Sequence, residues 1–168
     1  KYMDPFGNSL PDCLIAAKMA QHMERVLREM GKDAYADQFK GYDWATGLMP
    51  GWIREFSKLD KRFAGTRFVL NIHNMRRLGI FGSRALQLSQ QLGNGIYPAI
   101  GETDEQINFL GRGILFADKV AMVNPNFTVK ETVRSEENYN PLPEPAAVLK
   151  PVLQERLETG DLIEIRNG

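Results

Sequence analysis

The most constraining stretch of the 168-residue chain is residues 67–81, Arg-Phe-Val-Leu-Asn-Ile-His-Asn-Met-Arg-Arg-Leu-Gly-Ile-Phe. Phe68, Val69, Leu70 and Ile72 form a short apolar run rich in β-branched and aromatic residues. Such a run suits a strand covered on both faces of a parallel sheet. His73 and Asn74 follow at once, and a buried strand does not carry such groups through its middle. In open α/β sheets the ligand crevice lies just beyond the carboxyl ends of the strands. A strand that ends in His-Asn and reaches Gly79 a few residues later is placed to present side chains to that crevice. The same residues also fit a plain strand end with a hydrogen-bonded histidine, and the pattern alone leaves both open.

Around this stretch the chain alternates strand and helix signals. Residues 1–11 form a turn-rich lead-in, opening abruptly at Lys1 with no signal or transit peptide, as if inside a longer protein. Asp12 is a suitable N-cap for an amphipathic helix over residues 15–30, which Gly31 stops. Residues 32–40 have a weak pattern, and Asp37-Gln38-Phe39-Lys40 would make a poor central strand. Gly41-Tyr42-Asp43-Trp44 reads as a break. A helix over residues 45–59 follows, starting after Pro50-Gly51 or with an irregular first turn. Further helices are expected at residues 83–92, 108–116, 127–134 and 152–157, with Gly111 and Gly113 allowing one of them to approach a sheet closely. Residues 102–107 look like a polar capping stretch. Second and third strands fall at residues 119–123 and 162–165. Four of the nine prolines lie between residues 139 and 151, which predicts an extended surface segment. The alternation predicts an α/β fold with a mainly parallel, Rossmann-like sheet, in one domain over residues 12–168.

Composition narrows the function classes. Lys+Arg 21 balances Asp+Glu 21, so the charge gives no reason to expect a nucleic-acid partner. No apolar run approaches the roughly 20 residues that a transmembrane helix requires. The single Cys13 excludes an internal disulfide and a cysteine-based zinc site, which fits a reducing compartment such as cytoplasm or plastid stroma. No metal site and no cofactor is expected.

Several stretches fit one family in order. Asp43-Trp44 with Leu48 and Pro50 is similar to a His-Asp-Trp-x-x-x-x-x-Pro segment, and Ile72-His73-Asn74 with Gly79 to Thr-Ile-His-Asn-x-x-x-x-Gly. Ile107-Asn108-Phe109-Leu110, Gly113-Ile114-Leu115 and Ala117-Asp118-Lys119-Val120 resemble Asn-Phe-x-Lys-x-Gly-Ile-x-x-Ala-Asp. Val123 and Pro125 with Glu131 resemble Val-Ser-Pro-x-x-x-x-Glu, and residues 153–168 the arm ending in Asn-Gly. The chain thus resembles the N-terminal domain of glycogen and starch synthases, retaining glucosyltransferases of the two-domain GT-B type. The resemblance implies that Tyr42, Asp43, Trp44, His73, Asn74 and Gly79 line a sugar site.

The sequence also departs from the family pattern. Tyr42 stands where the family has a histidine, Arg77-Leu78 replaces Tyr-Gln, Asn124 replaces Ser, and prolines replace a glycine-rich segment. The family's Lys-x-Gly-Gly phosphate loop and its C-terminal domain are not in these residues. The resemblance therefore implies a synthase-like domain that is non-catalytic in this chain, a structural or accessory subunit with other protein subunits as partners. The alternative is a fragment of an active synthase that transfers glucose from a nucleotide sugar to an α-1,4-glucan.

Overall fold

The 67–81 stretch does begin as an interior strand, and a parallel sheet is built around it. The computed structural model describes residues 26, 29–31, 36–59, 61–82, 95–123 and 144–165. Strands β1 (Gln38–Tyr42) and β2 (Arg67–Ile72) come first, with helix α1 (Met49–Leu59) between them. Then follow β3 (Ile80–Gly82), β4 (Gln106–Asn108), helix α2 (Phe109–Phe116), β5 (Lys119–Val123), helix α3 (Lys150–Glu158) and β6 (Leu162–Ile165). Short 3-10 turns occupy Trp44–Thr46, Lys61–Gly65, Pro98–Ile100 and Glu144–Leu149. The main sheet has the order β1-β2-β5-β6, and every neighbouring pair is parallel. The architecture is α/β with a mainly parallel sheet, as the alternation predicts.

The polarity of β1 explains its place. Its pattern has exposed Gln38, Lys40 and Tyr42, and among the described strands it lies at one edge of the sheet. β2 sits inside, where Phe68, Leu70 and Ile72 are almost fully buried. Each such side chain contributes roughly 1.5–3 kcal/mol by leaving water. They join one core cluster with Met49 and Ile53 of α1, Leu110 and Ile114 of α2, Val120 and Met122 of β5, and Val152 and Leu153 of α3. Gly113 lets α2 lie close, because a Cβ there would come 3.0 Å from both the Gly47 backbone and the Leu70 side chain. Gly113 therefore serves close packing on the sheet, whereas Gly111 faces Ile100 of the Pro98–Ile100 turn, whose Cβ lies 2.7 Å from where its own would be. Asp118 ties the amino ends of β2 and β5 together, its Oδ2 accepting from Phe68 N at 2.8 Å.

Three details differ from the sequence reading, and a fourth decides between its alternatives. The strand β1 runs through Gly41 and Tyr42, so the break falls at Asp43 instead. Pro50 lies in the first turn of α1, where no backbone donor is needed, and the irregular turn before it is 3-10. From residue 144 the proline-rich stretch is not extended: Glu144–Leu149 is a 3-10 turn whose Ala146 and Leu149 are buried in the core. The antiparallel ribbon β3-β4 has no counterpart in the sequence reading, since three-residue strands carry too little pattern. The helices expected at residues 83–92 and 127–134, and most of the one at 15–30, lie outside the described residues. At the end of the last, Met30 N donates to Val26 O at 3.0 Å and Gly31 turns with φ of 70°.

Candidate functional site

The ladder between β1 and β2 pairs Tyr42 with Asn71 and continues for one more hydrogen bond, from Asp43 N to Asn71 O at 2.8 Å. There both strands reach their carboxyl ends, and the chain leaves β1 through a sharp corner. Asp43 adopts φ 52° and ψ −163°. That region is close to glycine-only, and a residue held there stores on the order of 1–3 kcal/mol. The stored energy is offset by what the side chain does. Asp43 Oδ1 accepts from His73 N at 2.7 Å and from Asn74 N at 2.9 Å. One carboxylate oxygen thus anchors the two residues that follow β2.

Around this anchor the predicted residues fall into two groups. Tyr42, His73 and Asn74 are exposed at the carboxyl end of the sheet. Tyr42 is 54% exposed, and its ring centroid lies 5.8 Å from that of His73. Asn74 Oδ1 accepts from Arg76 N at 2.9 Å, an Asx-type turn that starts the loop toward Gly79. Trp44 and Gly79 lie beneath, as supports. The Trp44 ring packs against the Gly79 backbone, where a Cβ would come 2.6 Å from it, and Gly79 has φ of 64°. Trp44 also meets Phe81 with ring centroids 5.7 Å apart. Asp43 sits between the groups, half-buried.

Two further residues complete the corner. Thr46 Oγ1 donates to Tyr42 O at 3.2 Å, and the buried Asn71 Nδ2 donates to Gly41 O at 3.2 Å. Sequence reasoning passed over both. The one available signal was Asn71 itself, a polar residue inside an apolar run that therefore needs a partner. Behind the site, Glu102 and Arg112 form a buried pair at 2.6 Å, where residues 102–107 had been expected to be a polar cap. Asn108 takes the capping role instead, its Oδ1 accepting from Gly111 N at 2.9 Å.

Tyr42, His73 and Asn74 make a small polar and aromatic surface suited to hydroxyl-rich rings, with the exposed Arg76 at its margin. Among the described residues no three of His, Cys, Asp and Glu converge as a metal site would require. No helix of the described residues is long and apolar enough to cross a membrane.

Known proteins place the fold and its lineage. The family model for the starch synthase catalytic domain matches residues 2–140. The chain belongs to the starch synthase catalytic-domain family. A glycogen synthase from Thermosipho africanus is 35% identical over 127 residues, which is 75% of this chain and 24% of that protein. One from Opitutus terrae is 33% identical over 137 residues, covering 81% of this chain and 26% of the relative. The chain thus spans about a quarter of the length of the curated relatives it matches. Among solved structures, the catalytic domain of starch synthase IV from Arabidopsis thaliana, bound to ADP and acarbose, superposes with a TM-score of 0.62. That match has 19% identity and covers 90% of this chain and 29% of the other, so it speaks for the fold alone.

Proposed function

We propose that this synthase-family chain, as one domain over residues 12–168, holds a glucosyl unit of an α-1,4-glucan at the carboxyl ends of β1 and β2. In this reading Tyr42 offers a ring face, His73 and Asn74 contact hydroxyl groups, and Trp44 and Gly79 keep their loop in place. The observation that carries it is the single Asp43 carboxylate oxygen that brings His73 and Asn74 beside the exposed Tyr42 ring. Membership of the starch synthase catalytic-domain family supports it. In this reading the glucan hold serves the extension of α-glucan from a nucleotide-activated glucose, and these 168 residues by themselves bind without transferring.

Tyr42 favours a second reading. Where the family has a histidine, a phenol ring can stack on a sugar yet does not reproduce the imidazole's contact. The domain would then be a non-catalytic, accessory member of an assembly with other protein subunits. One titration and one assay separate the two. Maltoheptaose added to the isotope-labelled protein should shift the backbone signals of Tyr42, His73 and Asn74, and His73→Ala should weaken binding about tenfold, or ~1.4 kcal/mol. No shift at these three residues overturns the glucan reading. Glucosyl transfer by the protein that carries these residues supports the synthase reading, and its persistent absence after Tyr42→His supports the accessory one.

A further inference from the structure

We infer that Asp43 is a positioning residue: its carboxylate, through the backbone, sets how His73 and Asn74 are presented to a ligand. The inference rests on the glucan reading for the nature of the ligand, but its geometry stands independently. Three observations meet at this residue. Its backbone is held at φ 52° and ψ −163°, which a β-carbon disfavours. Its own N–H is fixed to Asn71 O at 2.8 Å, so the corner is locked to β2. Its Oδ1 accepts two successive amides, at 2.7 and 2.9 Å, from the two residues whose side chains face outward.

A glycine would take this corner without strain. The presence of an aspartate there means that the acceptor does something the bare turn does not. Hydrogen bonds to an ionised acceptor are shorter and about twice as strong as neutral ones. Here they join the ends of two adjacent strands at the point where each releases its chain. Without them, the backbone amides of residues 73 and 74 would lose their tie to β1, and the loop to Gly79 would start from a less firmly held point. Thr46 reinforces the same corner from the other side, its hydroxyl also lying 3.4 Å from Asp43 O. Asp43 thus acts on the ligand through His73 and Asn74, and not by touching it.

The role divides two substitutions that a purely conformational corner would not. Asp43→Gly relieves the backbone and removes the acceptor, whereas Asp43→Asn keeps an acceptor oxygen of the same shape and tolerates positive φ. Amide hydrogen exchange followed by NMR reads the consequence directly. In the unsubstituted protein the His73 and Asn74 amides should be protected despite their exposed side chains. In D43G they should exchange at least tenfold faster while the midpoint of thermal unfolding stays the same or rises. In D43N protection should return to within a few-fold of the original. Maltoheptaose dissociation constants should follow the same order, weakest for D43G. Unprotected amides in the starting protein overturn the inference, and this readout needs no variant to fold. Protection unchanged in D43G also overturns it, as does unchanged maltoheptaose affinity once protection is lost. If protection follows the expected order but maltoheptaose binds none of the three proteins, the glucan reading fails and the positioning role stands.

Discussion

Gly79 shows how much of the site is decided at single residues. Its φ of 64° lies in the left-handed region, and the Trp44 ring occupies the space that a side chain would need. Either fact alone disfavours substitution. Together they make Gly79→Ala cost about 2–5 kcal/mol, the sum of a left-handed penalty and local overpacking. Urea unfolding of the variant measures this, and a loss under about 1 kcal/mol would show that the loop moves freely from Trp44. Trp44 in turn rests on Phe81, whose ring centroid is 4.4 Å from that of Phe109. The loop bearing His73 and Asn74 is thus stacked on the core through a line of aromatic rings. In sequence, Gly79 and Trp44 look like members of the sugar site. In the structure the Trp44 ring packs against the Gly79 backbone and so supports the loop.

Between elements, charge decides what apolar packing leaves open. The Glu102–Arg112 pair binds the end of β4 and helix α2 to the turn at Pro98–Ile100. The guanidinium donates to both carboxylate oxygens, at 2.6 and 2.8 Å, and to Gly95 O at 2.8 Å. The carboxylate also accepts from Tyr97 N and Asn108 N, both at 3.1 Å. Removing one partner leaves the other charged and sealed from water, so Arg112→Met should cost about 3–5 kcal/mol. A calorimetric or urea measurement close to zero would mean that water reaches Glu102. The Asp161 cluster gives the opposite, exposed case. Donation from Lys119 Nζ at 2.8 Å and from Thr159 Oγ1 at 3.1 Å, with Arg156 nearby, holds the Asp161 carboxyl below its ordinary range. A lowered native value means the folded state favours the ionised form. Its contribution is therefore complete above the unfolded carboxylate range and fades as pH falls through the native value. Asp161→Asn should lower the urea midpoint at pH 7, and the gap to the original protein should close on acidification below about pH 4. A gap that stays constant down to strongly acid pH would assign the effect to packing.

Over the whole molecule, what could be read from sequence divides along physical lines. Interior strands were legible because residues 68–72 and 119–123 have short, mostly apolar runs that suit a sheet covered on both faces. The corner at Asp43 was not, since a strained φ and two hydrogen bonds across 30 positions leave no local pattern. The buried Glu102 and Arg112 were missed for the same reason: charged residues read as surface until their partner is located. His73 and Asn74 were legible as polar residues closing an apolar run and Tyr42 only beside a family motif, and their grouping at one end of the sheet required the register of β1 on β2. That grouping bears on what these residues can do by themselves. Glucosyl transfer from a nucleotide sugar releases a diphosphate, and each well-aimed donor to a developing charge is worth about 100–1,000-fold in rate. The described residues present rings and amides at the carboxyl ends of β1 and β2, with the exposed Arg76 nearby in sequence, and the chain corresponds to about a quarter of its relatives' length. A polypeptide of these 168 residues alone should therefore bind maltoheptaose yet leave ADP-glucose and UDP-glucose unused in a radiolabelled-glucan assay. Incorporation above background would mean that the leaving diphosphate is stabilised from within these residues, with Arg76 the first candidate to replace. Binding without incorporation would place the glucan hold in this domain and the rest of the chemistry outside it.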